Sequence, residues 1–246
     1  MDMDAAKSGD MPRAKSWRGF LIEIWTIIVG ILIALGVNQV VDDLRERRIT
    51  QEARTAVRAE IASNLGGMLL RRGTQACINR RLEQMGQILE AARDGRAYAP
   101  PGWIGRPITW PTQARRWSAT SQAGRASLLP SDEQAEYAGA YYSSETFGNL
   151  EDQEQISWAT LRGMQGVRAM PPAVAIGFGQ ALEQARYENW RIKLTTERLE
   201  DEAVRLKIAA APVVLVKQSR LASVCVPIGT GRQAALAMIG NPFGEP

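Results

Sequence analysis

Phe20 to Val41, FLIEIWTIIVGILIALGVNQVV, sets one carboxylate, Glu23, near the start of an otherwise apolar run. A carboxylate inside lipid is a candidate for proton or ion coupling, or for pairing with a neighbouring helix. At the membrane edge it has a plainer role, because a helix N-terminus favours negative charge and the headgroups are close. No second charge occurs in the run, which favours the plainer role. Thr26, Gly30, Ala34 and Asn38 recur every fourth position, so small or polar side chains form a stripe along which another helix can approach closely.

Elsewhere, groups able to do chemistry are few. Histidine is absent, which removes the commonest general base, the imidazole metal ligand and every Ser-His or Cys-His nucleophile. Cys77 and Cys225 are too few for a four-thiolate zinc site; in an oxidising compartment they can pair, and otherwise they are small buried apolar side chains. Glu133, Glu136, Glu151, Asp152 and Glu154 hold the carboxylates a glycosidase needs, but they also read as one solvated helix flank. There is no G-x-S-x-G elbow, S-x-x-K pair, P-loop, H-E-x-x-H or G-x-G-x-x-G. The expectation is no catalytic residue, no metal and no cofactor.

The elements that carry these residues start with the apolar run, which at about 1.5 Å per residue matches a hydrocarbon layer about 30 Å thick. Lys7, Arg13, Lys15 and Arg18 precede it, and Ala34-Leu35-Gly36 resembles a signal-peptide cleavage site. The apolar character continues past that site to Val40 and Val41, so a retained signal anchor is the better reading. Acids Asp42, Asp43, Glu46 and Glu52 accompany the arginines of the second flank, so residues 1–19 are expected as a basic cytoplasmic tail. Residues 42–246 then form an extracytoplasmic domain, in a bacterium a periplasmic one on the inner membrane. The chain carries 45% apolar and 23% charged residues, and its net charge of +4 is spread without blocks, so no nucleic-acid footprint is present.

Apolar spacing after the anchor is helical, and an all-α fold is expected: the transmembrane helix continues into a long helix that packs with further antiparallel helices as an irregular bundle. Gly66-Gly67 and Gly73 predict a kink or break between Asn64 and Gln75, with the pattern ending near Arg93. The paired arginines at 71-72 and 80-81 read as a solvated face. Residues 95–111, GRAYAPPGWIGRPITWP, form a long Pro/Gly-rich loop. Trp103, Trp110 and, just beyond, Trp117 either pin this loop to the core or form an aromatic platform made basic by Arg106, Arg115 and Arg116. A short helix stops at Gly124, a capping box from Ser131 to Gln134 opens the next, and a last long helix covers Ala173 to Ala210. PVVLVKQSRLASVCVP, bracketed by prolines, reads as helix or irregular structure.

The stretches IEIWTIIVGILIALGVNQVVDDLRERR and SATSQAGRASLLPSDEQAEYAGAYY resemble a loosely defined set of uncharacterised proteobacterial single-pass membrane proteins. That resemblance implies anchoring and a helical extracytoplasmic domain, and no catalytic residue. The expected function is a membrane-tethered scaffold or interaction protein of the cell envelope. Its partners would be the lipid bilayer and either a second copy or another membrane protein. A sensory or ligand-binding helical module, and an accessory subunit of an ion-driven complex using Glu23, are the alternatives.

Overall fold

The computed structural model describes residues 17–213 and 222–240, and among them the regular structure is helical throughout. The helices are α1 (Trp17–Gly73), α2 (Gln75–Arg93), α3 (Arg115–Gln122), α4 (Ser131–Arg162), α5 (Pro172–Arg205) and α6 (Arg232–Ile239), with 3-10 turns at Arg125–Leu128 and Ser223–Cys225. Two compact units divide the chain, Met1–Ile49 and Thr50–Pro246. The first contributes the start of α1, whose most apolar window has a mean hydropathy of 2.5 and no buried residue. One helix near the N-terminus is thus long and apolar enough to cross a membrane.

In the second unit the helices surround two apolar clusters. Val57, Ile61, Leu65 and Met68 of α1 meet Tyr141 and Phe147 of α4 and Ile192 and Leu199 of α5 in the first. Ile78, Leu82, Met85 and Leu89 of α2 meet Trp158 and Leu161 of α4 and Leu182 of α5 in the second. The α1–α2 break falls at Thr74, inside the predicted interval, where the Thr74 N–H and Oγ1 both donate to Arg71 O. Gly66 and Gly67 nevertheless lie within α1 as ordinary helix. A Cβ on Gly66 would stand 2.3 Å from Ala211 O, and one on Gly67 would stand 2.0 Å from the Trp110 ring. Their purpose is close approach of flanking chain, not a bend.

Partner pairs along the helices give their directions. Glu136–Arg205 and Ser143–Glu202 lie at one end of α4 and α5, and Leu161 meets Leu182 at the other, so α4 and α5 are antiparallel. Arg54–Glu133, Glu60–Tyr141 and Arg71–Glu154 advance together, so this part of α1 and α4 are parallel, contrary to uniform antiparallel packing. The 95–111 loop makes that possible. It runs back along α2 and α1, from Arg81 at Trp103 and Ile104, past Gly67 at Trp110, to Asn64 at Gln113. At its end the Arg115 and Arg116 N–H groups, the first of α3, donate to the Glu60 carboxylate at 3.2 and 2.7 Å. A carboxylate there satisfies donors that no helix can satisfy internally.

Two helix ends differ from expectation. Ser131 does not form the capping box; Pro130 occupies the N-cap, and Gln134 Nε2 turns back to Leu129 O at 2.8 Å. α5 ends at Arg205, before Ala210, because Lys207 takes a left-handed φ of 54° and Arg58 donates to the Leu206 and Lys207 carbonyls, both at 2.7 Å. A cation on the last carbonyls of a helix is favourable by charge and by hydrogen bonding. Of PVVLVKQSRLASVCVP, residues 214–221 lie outside the described residues, and the rest is extended chain and the Ser223–Cys225 turn.

The clearest departure concerns the arginine pairs. Arg72 and Arg80 face outward, but Arg71 and Arg81 are buried. Arg71 Nη2 donates to Glu154 Oε1 at 2.6 Å and to Asn189 Oδ1 at 3.2 Å. Asn189, Asn79 and Gln75 continue the network. This polar layer separates the two apolar clusters along α1–α2, α4 and α5. Arg81 donates to the carbonyls of Trp103, Ile104 and Val226, so one guanidinium ties the loop and the C-terminal segment to α2. Burial pushes Arg81 down to about 10, which still leaves it cationic at neutral pH.

Arg71→Ala is expected to lower the unfolding free energy in urea by about 3–5 kcal/mol, because it strands the Glu154 carboxylate in the interior. Arg71→Met with Glu154→Met is expected to recover most of that loss, since both charges leave together.

Candidate interaction site

The residues singled out in the sequence fall into three groups. Glu23, Thr26, Gly30, Ala34 and Asn38 all sit on α1 in the first unit and are exposed. Thr26 Oγ1 donates to Ile22 O at 2.8 Å, so its hydroxyl returns to its own helix, and beyond the neighbouring residues and backbone of that helix nothing lies within 4 Å of where a Gly30 Cβ would stand. The stripe is therefore open to a neighbouring helix.

Cys77 and Cys225 form a disulfide, with a Cα–Cα distance of 5.0 Å across a sequence separation of 148. Arg81, one turn along α2 from Cys77, donates to the carbonyl of the residue after Cys225, so the covalent and the hydrogen-bonded tie act at the same place.

The three tryptophans do not assemble into one platform. Trp103 Nε1 donates to Ser223 O at 3.0 Å, the Trp110 ring lies over Gly67, and Trp117 stacks on Tyr141 at 6.1 Å and tilts against Tyr137 at 5.8 Å. Each ring pins the return path at a different point. A long segment without regular structure needs such anchors to be ordered.

Nor do the α4 carboxylates form one solvated flank, although Asp152 among them is exposed. Glu133 binds Arg54 and accepts from Tyr137, and Glu136 binds Arg205. Glu151 and Glu154 lie in the interior. Burial pushes Glu151 up to about 8, outweighing the Trp110 N–H on its two oxygens and the attraction of Arg71. Burial also raises Glu154, while Arg71 pulls it down. These carboxylates hold the return path and the polar layer together.

The exposed chemistry lies elsewhere, in residues whose spacing did not draw attention. Tyr142 and Thr146 on α4 and Tyr187, Trp190, Arg191, Leu194 and Arg198 on α5 line an open groove of about 350 Å³. Tyr142, Tyr187 and Trp190 are 59, 51 and 54% exposed, although aromatic rings of this size are normally placed in a core. The Arg191 guanidinium lies 5.9 Å from the centre of the Tyr187 ring, and Arg198 lies 5.4 Å from that of Tyr142. Tyr187 and Trp190 are in ring contact at 5.9 Å. Because α4 and α5 present Phe147, Leu150, Ile192 and Leu199 inward, the opposite stripe of each is forced to the surface. The legible signal was Tyr187, Trp190 and Leu194, a second apolar stripe at helical spacing beside the core stripe Leu182, Ala185, Ile192 and Leu199.

A larger groove between α2 and α5 carries Glu83, Glu90 and Glu183 together with Arg93 and Arg186, and Arg186 is already bound to Glu183 at 2.7 Å. Among the described residues no cluster of three His, Cys, Asp or Glu side chains is placed to hold a metal ion. No protein-family model, no curated protein and no solved structure matches the chain.

The raised Glu151 value has a signed consequence. Between its ordinary value of 4.5 and about 8 the folded state holds a proton that the unfolded chain has released. Its contribution to stability is therefore complete below that range and is lost as pH rises through it. Glu151→Gln, which keeps an acceptor for Trp110, is expected to flatten the fall in melting temperature across this interval.

Proposed function

We propose that this chain is a membrane-tethered interaction protein of the bacterial cell envelope. The observation that carries the reading is the start of α1, where Ile24, Ile28, Leu32, Leu35 and Val40 are all exposed although the segment is the most apolar in the chain. Apolar surface on every side of a helix of this length has lipid as its natural solvent. The second unit needs none of that surface, because it has two apolar clusters of its own. On this reading Glu23 sits at the membrane edge, residues 1–19 are cytoplasmic, and the helical domain is periplasmic beside the inner membrane. The Cys77–Cys225 bridge supports an oxidising compartment for that domain. The stripe from Thr26 to Asn38 suits a second copy or another membrane protein as a helix partner in the bilayer. The α4–α5 groove gives the exported part a surface for binding, and no nucleic-acid partner is invoked.

Alkaline carbonate washing is expected to leave the full-length chain in the membrane pellet, with an intact mass that retains Phe20 to Val41. Release into the supernatant, or loss of about 36 N-terminal residues, would refute the tether. An export-dependent reporter fused after Pro246 should be active, and a cytoplasm-dependent one inactive. Replacing Gly30 and Ala34 by Leu should abolish self-association in a membrane two-hybrid assay if the stripe pairs identical helices.

A further inference from the structure

The α4–α5 groove has a shape and a charge that together select an occupant. Tyr187, Trp190 and Leu194 stand at i, i+3 and i+7, and Tyr142 and Thr146 face them from α4. From Tyr187 to Arg198 the groove is about 16 Å long, roughly three helical turns. Two antiparallel helices with apolar side chains along their shared furrow accept a third helix by the same ridge-and-groove packing that joins the first two.

Its charge is of one sign. Arg191 and Arg198 line the groove, and no carboxylate does. Among the described residues Arg191 has no carboxylate partner. Arg198 uses only its Nε on the buried Glu202, at 3.1 Å, which leaves its two Nη groups for an external acceptor. A second copy in a twofold arrangement would set these arginines against themselves, a like-charge contact that opposes pairing. A membrane surface is met by a convex apolar face, whereas these rings line a furrow between two helices.

We infer that this groove docks an acidic amphipathic helix of a partner protein, with apolar side chains against Tyr187, Trp190 and Leu194 and carboxylates on Arg191 and Arg198. The inference rests on the interaction-protein reading and names its partner. Guanidinium groups already positioned over aromatic rings lose little freedom on binding a carboxylate, and aromatic and arginine side chains are those that dominate interface energetics.

The test uses the full chain in phosphatidylcholine nanodiscs and a fluorescent synthetic helix with Leu at i, i+3 and i+7 and Glu on its flanks. A matched helix with Lys for Glu is the control. The acidic helix is expected to bind with saturating anisotropy, at least about tenfold more tightly than the Lys helix. Trp190→Ala and Arg191→Glu should each weaken it by about tenfold or more, with melting temperatures unchanged because Trp190 is exposed and the half-buried Arg191 has no carboxylate partner to lose. Equal binding of the two helices, indifference to both substitutions, or no binding up to about 1 mM would overturn the proposal. It would also fail if phosphatidylglycerol vesicles, and not the helix, were the ligand lost on these substitutions. Carbonate-resistant protein that ignores the acidic helix would refute the docking alone and leave the tether standing.

Discussion

The second unit depends on one buried charge being matched. Arg71 lies at the end of α1, and its guanidinium is held by Glu154 from α4 and Asn189 from α5. A guanidinium in the interior is tolerable only if its partner stands in the right place, so this contact sets the axial register of three helices at once. Apolar side chains slide past one another at small cost, whereas a buried ion pair moved by a helical turn is two unpaired charges. The layer also divides the core, with Val57 to Met68 on one side and Ile78 to Leu89 on the other. The α1–α2 break at Thr74 falls within this layer.

With register set, the remaining problem is how the chain returns. α2 ends at Arg93, far from where α4 must begin if α1 and α4 are to lie parallel. Residues 95–114 cover that distance as extended chain along the α1–α2 surface, with Gly66 and Gly67 making room for it and for the segment at Ala211. Each tryptophan, the Glu60 and Glu151 carboxylates, and Arg81 fasten one point of this path. The disulfide closes the C-terminal segment onto the same surface. Extended segments contribute little hydrogen bonding of their own, so their order comes from side chains that reach across to them.

The exposed groove follows from this packing. α4 and α5 use one face for the core and the polar layer, which leaves Tyr142, Tyr187 and Trp190 on the other. The arginines beside those rings turn an apolar furrow into one with a preferred charge. The first unit faces the converse situation, with apolar side chains on every side and a short stripe of small residues among them. A helix long and apolar enough to cross a membrane and a domain with a one-signed aromatic groove are the two features on which the proposed role, holding a partner at a membrane, rests.

Much of the architecture was legible because it is local. The length and polarity of Phe20–Val41, the helical spacing, the break before Gln75, the end at Arg93 and the Pro/Gly-rich loop all follow from residues within a few turns of one another. Arg71 and Arg81 were not legible, since nothing near them distinguishes them from Arg72 and Arg80. Their burial is decided by Glu154, 83 positions away, and by Val226, 145 positions away. The same holds for Glu60 at the start of α3 and for the parallel run of α1 and α4, whereas the sequence already offered Cys77 and Cys225 as a pair and the fold brought them together. Tyr187 and Trp190 sit on a stripe that periodicity alone places equally well inside or outside, and only the packing of α4 on α5 chose the outside. The sequence by itself determined where helices form and that one of them suits lipid, because backbone preference and hydrophobic period act over short spans. Which charges are buried, which aromatics are exposed and where the groove lies were decided by tertiary structure, because desolvation depends on neighbours that only the folded chain supplies.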